Sequence, residues 1–456
     1  MVKDKRTIAL QTYSLSTRII GLKKTLLLLI SSLFFVTGHT QTVDKSKLDL
    51  FFNQLSEKNK AMGNMLITES SNIVYSRIIG YSQINEQEKI PLTTETRYRI
   101  GSITKMFTGA MIFQLIEEGK LTLNDTLDTF FPQIPNSGKI TILQILAHRS
   151  GIPNVGRGED SKTKPITNDE KLALIAKSTP DFEPDTQYGY SNSGYILLGY
   201  IIEKITGKSY QEALSERITS KIKLSDTYLG TGYIDVSQNE CHSYSYFGRW
   251  QQNVETHLSI PSAAGAIIST PADLTQFIQA LFAGRIVSKE SLDLMMQKQL
   301  GMEAFIYHDK TFYGHAGGID NFGSWLVYSP EENLTLAYTT NAKVYPVTKI
   351  IDGVFDIYWN KPFAIPSFEA MVVDPEILDQ YIGTYSNPEA PVKFIIIRDG
   401  TTLCMQQNAQ SAIPLEATAT NKFKIDPPGI FFEFNASQKQ LSIKRGGGER
   451  IFTKEE

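Results

Sequence analysis

Two kinds of apolar run alternate along this chain, and their spacing separates helices from strands. Residues 106–116 and 195–204 are apolar nearly all round, the pattern of helices lying inside a core. Glu117-Glu118-Gly119 closes the first of them, with glycine as its C-terminal cap. Helical patterns also cover 169–177, 272–283 and 347–359. Segments rich in β-formers read differently: 63–81 predicts a hairpin turning at Ser70-Ser71-Asn72, and 322–328 a strand joined through Pro330-Glu331-Glu332-Asn333 to a second at 334–338. With strands at both ends and helices between them, the expected fold class is α+β: an antiparallel sheet flanked by helices, with an inserted mainly helical subdomain and a cleft between the two. Beyond Pro366 the pattern changes to short strands at regular intervals, 381–385, 392–398, 403–406, 423–425, 430–434, 441–444 and 450–453, which predicts a small C-terminal all-β barrel or sandwich.

Composition fits this plan. A chain of 456 residues, 41% hydrophobic, can bury a large core and hold more than one domain. Its formal charge of −3 gives no basic footprint for nucleic acid. Lys23-Lys24 precedes the uncharged stretch 25–36, shorter than the ~20 residues that span a bilayer and matching a signal-peptide core. Cleavage is expected between Gly38 and Gln41, so the chain is expected to be exported, periplasmic or extracellular, and to touch a membrane only through an uncleaved signal segment. No cysteine follows the apolar run, so a lipid-anchored form is not indicated. Cys241 and Cys404 fall in different predicted domains and read as free thiols. His242, His257 and His308 have no spacing that suggests a metal site.

The candidate chemistry begins at Ser102-Ile103-Thr104-Lys105, the head of the first buried helix. A serine hydroxyl needs a base to take its proton, and three residues on along a helix lies on the same face, so Lys105 can touch Ser102. Lysine loses solvation there, which moves its pKa from ~10.4 toward the ~7 to 8 that a base near neutrality needs. The same spacing from Ser161 to Lys164 and from Ser220 to Lys223 falls in stretches that read as solvated. Two further elements follow in order. Tyr190-Ser191-Asn192 stands just ahead of the helix at 195–204, and His315-Ala316-Gly317-Gly318 stands ahead of the strand at 322–328. Tyr-x-Asn also occurs at Tyr358 and Tyr385, so it is the ordered set that is specific.

That order resembles the serine β-lactamase and penicillin-binding-protein superfamily, whose signature is Ser-x-x-Lys, Ser-Asp-Asn and Lys-Thr-Gly. Here tyrosine replaces the first residue of the middle motif and His-Ala-Gly replaces Lys-Thr-Gly. Both changes are similar to the branch of class C β-lactamases, D-stereospecific peptidases such as D-aminopeptidases, and serine esterases. The His-x-Gly form is more familiar from the peptidases and esterases. The resemblance covers roughly residues 50–360 and takes in 121–125, 146–153 and 262–274. It implies a β-lactamase/transpeptidase-like hydrolase domain at 45–362 after a signal peptide at 1–40. The barrel at 374–456 resembles the lipocalin-like tails of some members, with a structural role ahead of a binding one.

The resemblance also implies a mechanism. Ser102 attacks a carbonyl while Lys105 and Tyr190, either of which could be the main base, accept the proton; Tyr190 then returns one to the leaving group. The oxyanion sits between the N–H groups of Ser102 and Gly318, with Gly317 beside it among the substrate and oxyanion residues. Asn192 binds the substrate amide and fixes Lys105. His315 supplies a donor or partial positive charge to Tyr190 and to a substrate carboxylate, which gives binding a pH dependence near ~6.5. His148 is expected to serve packing or a local hydrogen bond, and Tyr188, two residues before Tyr190, could line the cleft, with packing as its default. No cofactor or metal is implied. The expected partner is a small-molecule or peptide substrate, cell-wall peptides among them. D-amino-acid or peptidoglycan-type peptides and esters stand ahead of β-lactams, and the alternative is a catalytically silent penicillin-binding-like sensor or binding protein.

Overall fold

The hairpin foreseen at 63–81 sits inside a larger sheet. In the computed structural model, which describes residues 43–155, 162–369, 371–407, 412–425 and 429–455, strands Ala61–Glu69 and Asn72–Ile79 pair antiparallel across a turn in which Ser70 and Ser71 both have positive φ. The sheet has six strands, in the order Glu303–Tyr307, Lys310–Ile319, Phe322–Ser329, Leu334–Lys343, Ala61–Glu69, Asn72–Ile79. Every neighbouring pair is antiparallel. The strands foreseen at 322–328 and 334–338 join the hairpin in this sheet, and two more strands precede them. Glu303–Tyr307 alternates only between half-buried and exposed residues, and Lys310–Ile319 carries small residues at its end, so neither has a clear period-2 signal. His315 to Gly318 stand ahead of strand Phe322–Ser329 as expected, and themselves lie within strand Lys310–Ile319.

Both faces of the sheet are covered, which is why Leu334–Lys343 is buried along almost its whole length. Phe52 of helix Lys45–Glu57 meets Tyr75, and Phe355 of helix Val347–Tyr358 packs on Phe312, on one face. Helix Pro271–Phe282 covers the other, where Gln279 donates to the hydroxyls of Thr68 and Thr335. The apolar run at 106–116 forms helix Thr104–Glu117, with every residue from Thr104 to Leu115 buried. It packs against helix Asn192–Thr206, which covers the other all-apolar run.

The C-terminal segment is a nearly closed barrel of nine strands. The foreseen strands are present with shifted ends, and Ile413–Pro414 and Glu416–Ala419 are added. The first strand is Gly383–Asn387 rather than 381–385, because Asp374 caps a short helix, Pro375–Asp379, that uses up the preceding residues. Tyr381, Tyr385, Phe423, Phe434 and Phe452 fill its core. Tyr385 thus serves packing, its hydroxyl donating to the Tyr381 carbonyl. Residues Asp44–Glu456 form one compact unit, and Lys60 pairs with Glu416 of the barrel at 3.1 Å. Among the described residues no helix is long and apolar enough to cross a membrane. The expected signal segment lies outside the described residues.

Phe107 stacks on Phe277 with ring centroids 3.7 Å apart, and both are fully buried. Phe107→Ala should lower unfolding free energy by about 3–5 kcal/mol in a urea titration. A loss below about 1 kcal/mol would mean that this contact does not hold the helix.

Candidate active site

Ser102 stands in a 3-10 turn, Gly101–Ile103, that runs into the buried helix Thr104–Glu117. Its neighbours constrain that turn. Gly101 has φ +51, and a Cβ there would stand 2.7 Å from the Gly318 nitrogen; a Cβ on Gly317 would stand 2.1 Å from the Ile100 carbonyl oxygen. Backbone meets backbone where strand Lys310–Ile319 passes the turn, and only glycine permits that approach. Ser324 completes the join by donating to the Ile100 carbonyl at 2.7 Å.

A buried charge group ties the same two segments together. Arg99, on the strand leading into the turn, lies 3.9 Å from Glu255 and 3.9 Å from Asp320, and donates to the carbonyls of Thr256 and Gly232. Thr256 donates through its N–H and its hydroxyl to the two Asp320 oxygens, each at 2.8 Å. The loop at 255–256 thus links the strand before Ser102 to the residues just after Gly318. Burial pushes the Glu255 carboxyl up to about 7.

Lys105 is fully buried, and its Nζ has three acceptors: Ser102 Oγ at 3.1 Å, Asn192 Oδ1 at 2.8 Å and the Ala264 carbonyl oxygen at 2.7 Å. Burial pushes its ammonium down to about 7, against an opposing pull from the Glu303 carboxylate. A neutral amine has two N–H bonds and one lone pair. Asn192 Oδ1 and the Ala264 oxygen can only accept, so they take both N–H groups and the lone pair is left toward Ser102. Such an arrangement is chemically able to take the serine proton.

Tyr190 approaches from the opposite wall. Burial pushes its phenol well above the ordinary range, although a hydrogen bond with Ser102 pulls the other way, so it stays neutral at pH 7. Its ring lies 4.8 Å from Lys105 Nζ and stacks on His148 at 4.3 Å. Asn154 holds this segment from outside: its Nδ2 donates to the Tyr190 carbonyl at 2.9 Å, and its Oδ1 accepts from the Asn192 N–H at 2.5 Å. Ser191 caps helix Asn192–Thr206, which sets the direction of the Asn192 side chain.

The predicted set therefore converges: Ser102, Lys105, Tyr190 and Asn192 touch through the lysine and serine, Gly317 and Gly318 abut the nucleophile turn, and the His315 ring lies 6.4 Å from that of Tyr190. Three expectations change. His315 is buried, and desolvation together with the nearby Lys105 charge pushes its pKa down to about 3, so it carries no charge near pH 6.5 and the expected pH dependence through it is withdrawn. Its Nδ1 faces the Ala316 carbonyl, which can only accept, so Nδ1 holds the proton and Nε2 is an acceptor instead of a donor. For Tyr188 the default of packing gives way to the cleft-lining alternative; it is 62% exposed and lines the pocket. His148 does make the expected local hydrogen bond, its Nδ1 accepting from the Ser191 N–H at 3.1 Å, and it also supports the Tyr190 ring. Ser220 and Lys223 are exposed as expected, while Ser161 lies outside the described residues.

Beside these groups opens a pocket of about 220 Å³ lined by His148, Tyr188, Tyr195, Met302, Glu303 and His315, with Arg149 and Lys298 also on its wall. Asn154, the Ala264 carbonyl and Glu303 were not singled out from the sequence. Asn154 follows the noted segment 146–153 and Ala264 lies within 262–274, while Glu303 had no motif to mark it. Among the described residues no group of three or more His, Cys, Asp or Glu side chains could hold a metal ion.

The family model described as Beta-lactamase matches residues 49–354. Penicillin-binding protein 4* of Bacillus subtilis is 25% identical over 392 residues, 78% of this chain and 84% of that protein. The structure of D-amino acid amidase from Ochrobactrum anthropi SV3, complexed with L-phenylalanine amide, superposes with a TM-score of 0.60 and 25% identity, covering 69% of this chain and 99% of that one. An octameric penicillin-binding protein homologue from Pyrococcus abyssi reaches a TM-score of 0.61 at 24% identity over 90% of this chain and 100% of its own, a likeness of fold.

If Lys105 takes the proton, covalent labelling of Ser102 by a fluorophosphonate should fall about tenfold per pH unit below about 7 and level off above it, because the protonated amine has no lone pair to offer. A rate unchanged between about pH 5.5 and 8.5 would contradict this.

Proposed function

The chain belongs to the β-lactamase family of serine hydrolases, and from that premise we propose that it cleaves peptide- or ester-type acyl substrates, D-amino-acid amides and peptides foremost, through an acyl-enzyme on Ser102. The observation that carries the reading is the set of contacts around Lys105 Nζ, where two fixed acceptors leave the amine's lone pair directed at Ser102 Oγ. Lys105 is the main base, because its pKa is pushed down to about 7 while that of Tyr190 is pushed up. Tyr190, neutral and beside Ser102, relays the proton to the leaving group. The oxyanion is held between the N–H groups of Ser102 and Gly318, a reading supported by the close approach of the Gly101 turn to Gly318. Asn192 fixes Lys105 and meets the substrate amide; His315 accepts a hydrogen bond through Nε2. Water then attacks the acyl-enzyme with the same groups acting in reverse.

A preference for D-amino-acid amides and peptides over β-lactams is supported by the His-Ala-Gly motif and by likeness to a D-amino acid amidase. We further propose export after removal of a signal at 1–40, a hydrolase domain at 45–362, and a lipocalin-like barrel at 374–456 with a structural role.

The test is ammonia release from D- and L-phenylalaninamide, run with benzylpenicillin in parallel and its protein adduct followed by intact mass. Turnover of the D-amide that disappears in Ser102→Ala is the expected result, with penicillin giving a slow Ser102 adduct. Absence of any Ser102-dependent turnover or adduct with amides, esters and penicillin would instead make the chain a silent binding protein.

A further inference from the structure

We infer that Glu303 anchors a cationic group of the substrate, an ammonium beside the acyl group that Ser102 attacks; this rests on the serine hydrolase reading and names its substrate class. Glu303 opens strand Glu303–Tyr307 and pairs with Gly314, the residue before His315, so the sheet delivers it to the same end of the cleft. It lines the pocket with His148, Tyr188, Tyr195 and His315. Its side chain is half-buried and makes no hydrogen bond or ion pair among the described residues. Its charge acts on the site all the same, favouring the ammonium form of Lys105 and the neutral forms of Tyr188 and Tyr190.

A carboxylate partly withdrawn from water without a partner is costly, and a ligand cation would offset that cost. The charges around it leave this role open. Arg149 is held by Asp185 at 2.6 Å, and desolvation keeps His148 and His315 neutral, each pushed down to about 3. Lys105 is committed to its three acceptors. Lys298 is the remaining cation on the pocket wall, and no ion pair joins it to Glu303 among the described residues. Exposed at the mouth, Tyr188 adds a ring face that suits an ammonium. The substrate class is therefore acyl compounds with a free amine, such as amino-acid amides and peptides cleaved at a free amino end. Chains recognised by a terminal carboxylate would be repelled by Glu303.

Calorimetry on the Ser102→Ala protein separates binding from turnover. D-phenylalaninamide and its N-acetyl derivative are titrated at about pH 7, where an α-amino group with pKa ~7.7 to 8.0 is mostly protonated. The free amine should bind about tenfold or more tightly than the acetylated compound. Adding Glu303→Gln should remove the difference, while Glu303→Asp, which keeps the charge, should retain part of it. Equal binding of the two compounds, a preference that survives Glu303→Gln, no binding of the free amine at millimolar concentration, or tighter binding of N-acetyl-D-phenylalanine lost in Lys298→Gln would each overturn the assignment. Because no turnover is needed, failure of the hydrolase reading registers separately, as absence of Ser102-dependent product with the unmutated serine.

Discussion

Burial of one lysine organises this cleft. An ammonium withdrawn from water is costly unless its hydrogens find partners, and Lys105 finds them in a side chain from the neighbouring helix, Asn192, and in a backbone carbonyl from a third segment, Ala264. Three stretches distant in sequence must therefore pack correctly before the lysine can be accommodated. The same burial lowers its proton affinity, so the constraint on folding and the chemical readiness of the site have one cause.

Around that point the structure uses backbone contact where it needs closeness and charge where it needs alignment. Glycines at 101 and 317 let the nucleophile turn and the strand beside it touch directly. Arg99, Glu255, Thr256 and Asp320 tie the outer ends of the same segments. Breaking one partner of such a buried group leaves a charge without compensation. Substitutions at Arg99 or Asp320 thus bear on the geometry of Ser102 without touching substrate.

Much of this was legible in the sequence, for reasons that differ by residue. Ser102 and Lys105 stood out because a polar pair headed a run of core residues, and Tyr190, Asn192 and His315 because they followed in a characteristic order. The α+β plan and the barrel followed from period and spacing. Missed were contacts that no spacing encodes: Ala264 takes part through its carbonyl, Asn154 through a loop crossing, and Glu303 through the placement of an edge strand with weak alternation. The charge of His315 was misjudged because protonation depends on burial, which its Gly-rich neighbourhood did not reveal. Of the two readings open for Tyr188, packing came first because an aromatic residue defaults to the core, yet its exposure puts it on the cleft.

The central claim is that Lys105 shares its proton with solvent near neutrality. Its direct test is an NMR titration of the lysine side-chain nitrogens in uniformly labelled Ser102→Ala protein, with Lys105→Met assigning the resonance. A midpoint near about 7 is expected, set by desolvation of a fully buried amine. A midpoint near the ordinary ~10.4 of lysine would contradict the account, since the amine would then stay protonated and could not act as the base for Ser102.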